Sequence, residues 1–115
     1  MKKRPASARL GAVLRDLTEA VARARARSGS GYGSGLIEDR VRDYQLVRDP
    51  SDAERLRCLD QICEAAADYR VRVNATKSQR FTPDERAKLA RAVNAAFRIR
   101  DELRRTAALR SLGMV

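Results

Sequence analysis

The side chains best equipped to bind something are arginines. Arg91, Arg98 and Arg105 recur every seven residues, which on an α-helix keeps them on one side and spreads them over about 21 Å. A guanidinium is always charged, forks onto phosphate oxygens and stacks on bases. A row of that length suits consecutive phosphates of an extended nucleic-acid strand. Arg23, Arg25 and Arg27 form a second basic cluster near the end of the first helical segment, where positive charge also meets the negative end of the helix dipole. An ordinary solvated helix face has the same appearance, so both readings stand at the level of sequence.

A row of the opposite sign lies in the middle of the chain, with Asp60, Glu64 and Asp68 at four-residue steps. Like charges at that spacing weaken an isolated helix slightly, so a basic partner is expected. It comes from arginines of the same bundle or from a neighbouring copy. An acidic row against a basic face of the next copy is a head-to-tail contact, which builds rows rather than closed dimers. These three residues are therefore the candidate protein interface.

Groups for catalysis are missing. The chain has no histidine, which removes most zinc and iron sites and most general-base arrangements. Asp101-Glu102 and Asp39/Asp43 are carboxylate pairs, but on charged helix faces with no shielded pocket implied. The Gly31-Tyr32-Gly33-Ser34-Gly35 stretch lacks the Lys-Ser/Thr ending of a phosphate loop and follows a basic helix rather than a strand. It reads as a connector, from whose tip Tyr32 could stack on a base. Cys58 and Cys63 are five apart, about 140° around a helix, and cannot face each other for a disulfide. They read as small apolar residues of a reduced, cytoplasmic protein. The expectation is a non-enzyme with no metal and no cofactor.

The charge balance supports binding. There are 25 Lys+Arg against 15 Asp+Glu, a formal +10 on 115 residues, and only Lys2, Lys3, Lys77 and Lys88 are lysines. Residues 1–35 carry eight basic and two acidic groups, residues 36–75 seven and nine, and residues 76–115 ten and four. The two ends of the chain thus make the basic surface. Such an excess suits a polyanion, whose condensed counterions are released on contact. An anionic membrane surface competes as partner, and high-GC codon usage, rich in Arg and Ala, is the competing origin of the charge. At 4% aromatic the chain is poor for base-by-base readout, so binding should be largely indifferent to sequence. Met1-Lys2-Lys3-Arg4 mimics a secretory leader, but Arg9, Arg15 and Asp16 interrupt the apolar run behind it. No segment approaches the ~20 apolar residues of a membrane span.

Periodicity sets the elements that must position these groups. Leu10, Val13, Leu14, Leu17, Val21 and Ala24 make one apolar stripe, predicting a helix over 7–27. Alternating glycines predict a flexible connector over 28–35. Ile37, Val41, Tyr44 and Val47 fit a short helix over 36–48, broken by Asp49-Pro50. Ser51 and Glu54 form a capping box for a helix whose buried arc is Leu56, Leu59, Ile62, Cys63, Ala66, Tyr69 and Val73. Thr82-Pro83-Asp84-Glu85 combines a cap, a proline at the first helical position and two acids. The last helix follows to about Leu112, with Leu89, Val93, Ala96, Leu103 and Ala107 inward and Gly113 as its stop. No stretch alternates as a half-buried strand would. The predicted fold is all-α, one domain over 1–115, a small antiparallel helical bundle of three long helices plus one short helix.

In size, helical pattern and basic faces such as Arg91, Arg98 and Arg105, the chain resembles the small subunit of multi-subunit CRISPR effector ribonucleoprotein complexes. The likeness covers the whole chain through its general pattern and carries no individual residue across. It implies a non-catalytic helical bundle stacked in a row along guide RNA and single-stranded target, beside larger effector subunits. Phage DNA-packaging proteins of the small terminase type and virion proteins are similarly rich in Arg and Ala. A helical protein-interaction adaptor is the third class. No tight turn before a recognition helix marks a helix-turn-helix.

Overall fold

Four helices account for most of the residues described, which in this computed structural model are 6–28, 34–75 and 81–113, with side chains described over 8–26, 37–75 and 81–113. They are α1 (Ala6–Ser28), α2 (Ser34–Leu46), α3 (Asp52–Ala75) and α4 (Pro83–Ser111). No strand occurs among the described residues. The connector expected over 28–35 is shorter, because Ser28 still belongs to α1 and Ser34 already opens α2. Residues 29–33, Tyr32 among them, lie outside the described residues.

The helix ends follow from local chemistry. Thr82 is extended (φ −71°, ψ 156°), and its hydroxyl accepts the Glu85 N–H at 3.1 Å. Pro83 fills the first helical position and donates nothing where nothing is needed, while Asp84 and Glu85 sit in the positive first turn. At the other end the Leu112 N–H donates to the Ala108 carbonyl, and Gly113 at φ 73° donates to Arg110 at 3.0 Å. A glycine is suited to that left-handed position. At α3, the Ser51 hydroxyl accepts the Glu54 N–H at 3.1 Å. The Glu54 carboxylate lies on that same hydroxyl, also at 3.1 Å, rather than on the Ser51 backbone N–H of a full capping box. Between α2 and α3 the chain turns through Asp49 at φ 47°, a region that Asp tolerates better than most residues.

The inward stripes meet in a single core. α1 contributes Leu10, Leu14, Leu17, Val21 and Ala24, and α2 contributes Ile37 and Val41. Leu59, Ile62, Cys63, Ala66, Tyr69 and Val73 come from α3, and Leu89, Val93, Ala96, Ile99 and Leu103 from α4. Phe81, just before α4, is also buried. Full burial of one such aliphatic chain stabilises by about 1.5–3 kcal/mol. Val13, Leu56 and Tyr44, expected inside, are only partly buried. Val47, also expected inside, is exposed, because α2 ends at Leu46.

Cross-helix pairs set the directions. Arg9 pairs with Glu102, so α1 and α4 are antiparallel when taken with the Arg23–Lys88 end of the same groove. Arg110 reaches Asp52 at 3.1 Å, Arg104 reaches Asp60 at 2.9 Å and Arg70 reaches Asn94 at 3.2 Å, which runs α3 against α4. Arg55 on the Tyr44 hydroxyl and Arg40 on Gln61 run α2 against α3. Each helix packs on its chain neighbours and α4 returns to α1, with no close backbone approach between the diagonal pairs among the described residues. The result is an antiparallel four-helix ring with one short member. No described helix is long and apolar enough to cross a membrane.

Candidate nucleic-acid interface

α4 is the helix around which the ring closes, and its charges divide into two groups. One group is paired within the protein. Lys88 pairs with Asp84 at 3.3 Å, Arg100 with Asp101 at 3.0 Å and Asp60 at 3.6 Å, and Arg104 with Asp60 at 2.9 Å. Arg86 donates to the Val73 carbonyl at 2.6 Å and lies 5.5 Å from the Phe81 ring centre. Glu102 is held by Arg9. The other group, Arg91, Arg98 and Arg105, is exposed, and none of the three has an ion pair among the described residues. Internal pairing therefore occupies Asp84, Asp101 and Glu102 while leaving the heptad arginines unneutralised.

The structure adds a concave element that spacing alone does not show. Between α1 and α4 runs a groove of about 840 Å³. Alanines line both of its sides, Ala20 and Ala26 from α1 and Ala92 and Ala95 from α4. Lys88, Arg91 and Arg98 stand along the α4 wall together with Asp84 and Glu85 of its first turn, and Arg23 lines it from α1. Arg98 and Arg105 also border a smaller recess of about 460 Å³ with Arg104, Asp101 and Glu102. Arg23, Arg91 and Arg98, from the two basic ends of the chain, thus converge on one surface.

The remaining expected site residues are placed elsewhere. Arg25 does not join Arg23: two residues on a helix are about 200° apart, and Arg25 points to α2, pairing with Glu38 at 2.9 Å. Arg27 lies in α1, but its side chain is outside the described residues. Asp60 finds its basic partners in Arg100 and Arg104 of the same chain. Glu64 and Asp68 are exposed and have no ion pair among the described residues. The groove also contains Asp16, Glu19, Asp84, Glu85 and Lys88, none of which spacing had placed in a site. Asp16, Glu19 and Arg23 share one face of α1 at i, i+3 and i+7, so their joint placement was open to a spacing argument.

Other chemistry is sparse. Among the described residues no three His, Cys, Asp or Glu side chains gather in a metal-holding group. Both cysteines are free. Burial pushes the Cys63 thiol up to about 11, against the pull of Arg100. Burial also raises the Tyr69 phenol, opposed by Arg25 and assisted by Glu38. Comparison with protein-family models, with curated proteins and with solved structures finds no match to this chain.

Proposed function

We propose that the protein is a non-catalytic subunit that holds the phosphate backbone of single-stranded RNA or DNA along the exposed arginine row of α4. The observation that carries this reading is the row Arg91, Arg98 and Arg105: exposed, evenly spaced and without acidic partners, while acids nearby on the same helix are occupied. Arg23 extends the row across the groove. Each guanidinium that meets a phosphate releases counterions, and the affinity is mostly electrostatic.

In this reading the protein is a repeated small subunit of a cytoplasmic ribonucleoprotein complex, such as a CRISPR effector. Glu64 and Asp68, still unpaired on α3, are the part of the acidic row left to meet the next copy head to tail. The test is affinity for labelled single-stranded RNA, single-stranded DNA and duplex DNA at roughly 50 and 200 mM salt, a range over which several phosphate contacts cost orders of magnitude. Single-strand preference with a steep salt loss supports the proposal. Tight binding confined to particular duplex sites favours a DNA-packaging role instead, and binding to none of the three favours a protein adaptor.

A further inference from the structure

Five large apolar side chains are exposed among the described residues, and four of them share one end of the bundle. Leu46 (74% exposed) and Val47 lie where α2 ends, and Leu109 and Leu112 (73%) lie where α4 ends. The fifth, Val71, belongs to the second half of α3. The first turn of α3 stands between the two pairs and fixes them. Arg55 donates to the Tyr44 hydroxyl at 3.3 Å and lies 3.6 Å from Asp52, whose carboxylate accepts from Arg110 at 3.1 Å. Tyr44 and Arg110 each come two residues before an exposed leucine, so this polar chain holds Leu46 and Leu112 on either side of α3. Neighbouring helices pack about 8–10 Å apart, which makes the patch roughly 20 Å across. Single apolar residues on a surface need no explanation, whereas a grouped set marks a contact.

We propose that this end is a self-association surface on which two copies meet end to end about a two-fold axis. The charges around the patch select this occupant. Asp43, Arg48, Asp49 and Arg57 are exposed and have no ion pair among the described residues. The unpaired charge beside the leucines therefore cancels, in a chain whose formal charge is +10. Copies of so basic a chain repel one another, and the repulsion is weakest where both signs are present. In a two-fold contact the same patch serves both copies, so each copy's Arg48 and Arg57 are available to the other's Asp43 and Asp49. An anionic membrane fits less well, because Asp43, Asp49 and the first-turn acids Asp52 and Glu54 border the leucines and such a surface repels them. The size suits a weak dimer. With α4 along the 51 Å axis, the end measures 30 × 21 Å, which gives about 500 Å² per copy and roughly 1,000 Å² in all, the lower limit for a specific interface. This contact stands apart from the nucleic-acid reading and from the acidic row of α3.

The test is sedimentation velocity on the full chain, freed of nucleic acid, beside the Leu46→Ser/Leu112→Ser variant. The native chain is expected to pass from one copy to two over roughly 5–500 µM, as a small interface allows, and to stop at two. Raising salt from ~150 to ~500 mM should leave the dimer in place, since apolar contact is not screened, whereas a row built on Glu64 and Asp68 should dissociate. The variant should dimerise at least about tenfold more weakly, as loss of anchoring side chains does. Both leucines are mostly exposed, and circular dichroism checks that helicity is unchanged. A native chain that stays single throughout, a mass that grows past two, or a variant that dimerises like the native chain overturns the proposal. Co-sedimentation of the native chain, but not of the variant, with phosphatidylserine vesicles would give the leucines to a membrane and overturn it as well.

Discussion

Replacing Arg91, Arg98 and Arg105 together by alanine separates phosphate binding from general basicity. For single strands, the logarithm of affinity falls with the logarithm of salt by ~0.7 for each phosphate neutralised. If Arg23 and the three α4 arginines each meet one phosphate, the slope is about −2.8, and going from roughly 50 to 200 mM salt costs about 50-fold in affinity. The triple variant keeps only Arg23, so its slope falls to about −0.7 and the same salt step costs roughly threefold. Stability should hardly change, because the three side chains are exposed and unpaired, and such surface changes usually stay within about ±0.5 kcal/mol. The assay is anisotropy titration of a labelled strand at several salt concentrations, with a thermal melt followed by circular dichroism. A triple lysine variant serves as the charge-conserving control and should retain the steep slope. A triple alanine variant that is fully folded and keeps the native slope would refute the claim that these arginines touch phosphate.

Three further outcomes follow from the packing. Thr82→Ala removes the hydroxyl that accepts the Glu85 N–H and should cost about 1 kcal/mol, measured as a lower urea midpoint. The Tyr69 hydroxyl is buried without a hydrogen-bond partner, so Tyr69→Phe should leave stability unchanged or raise it by about 1 kcal/mol; a clear loss would mean that the hydroxyl is satisfied. The Cys63 thiol titrates near 11 in the fold instead of at its ordinary 9.0, so its contribution is intact below pH 9 and is lost as pH rises toward 11. Between pH 7.5 and 10.5 that loss is about 2 kcal/mol. Tyr69 acts with the same sign, and Cys63→Ala should show a shallower alkaline decline; identical declines would exclude the thiol as a cause.

Much of the fold was legible because the local signals agree with one another. The Thr82-Pro83 start, the Ser51 cap and the Gly113 stop need only neighbouring residues, and each lies where its own side chain or φ angle requires. The stripes of α1, α3 and α4 were equally plain, since a long helix repeats its apolar spacing several times. α2 was less so. At 13 residues it completes few turns, so its ends moved and Val47 proved exposed. The groove was hidden for a different reason: it depends on how residue 23 registers against residue 88, which no window of sequence contains. Arg25 is an intermediate case, since the helical angle separates it from Arg23, yet only α2 supplies Glu38 to receive it.

The closure of the ring by α4 has a consequence for the order of events during synthesis. The groove is built from α1 and α4, so its second wall is made only after α1, α2 and α3. A nascent chain that has emerged only through α3 carries Arg23, Asp16 and Glu19 but has nothing to set against them. Contacts of such high sequence separation also carry a larger loop-closure cost than local ones. The groove thereby exists only in chains in which α4 has been released and docked, and a partial translation product lacks it.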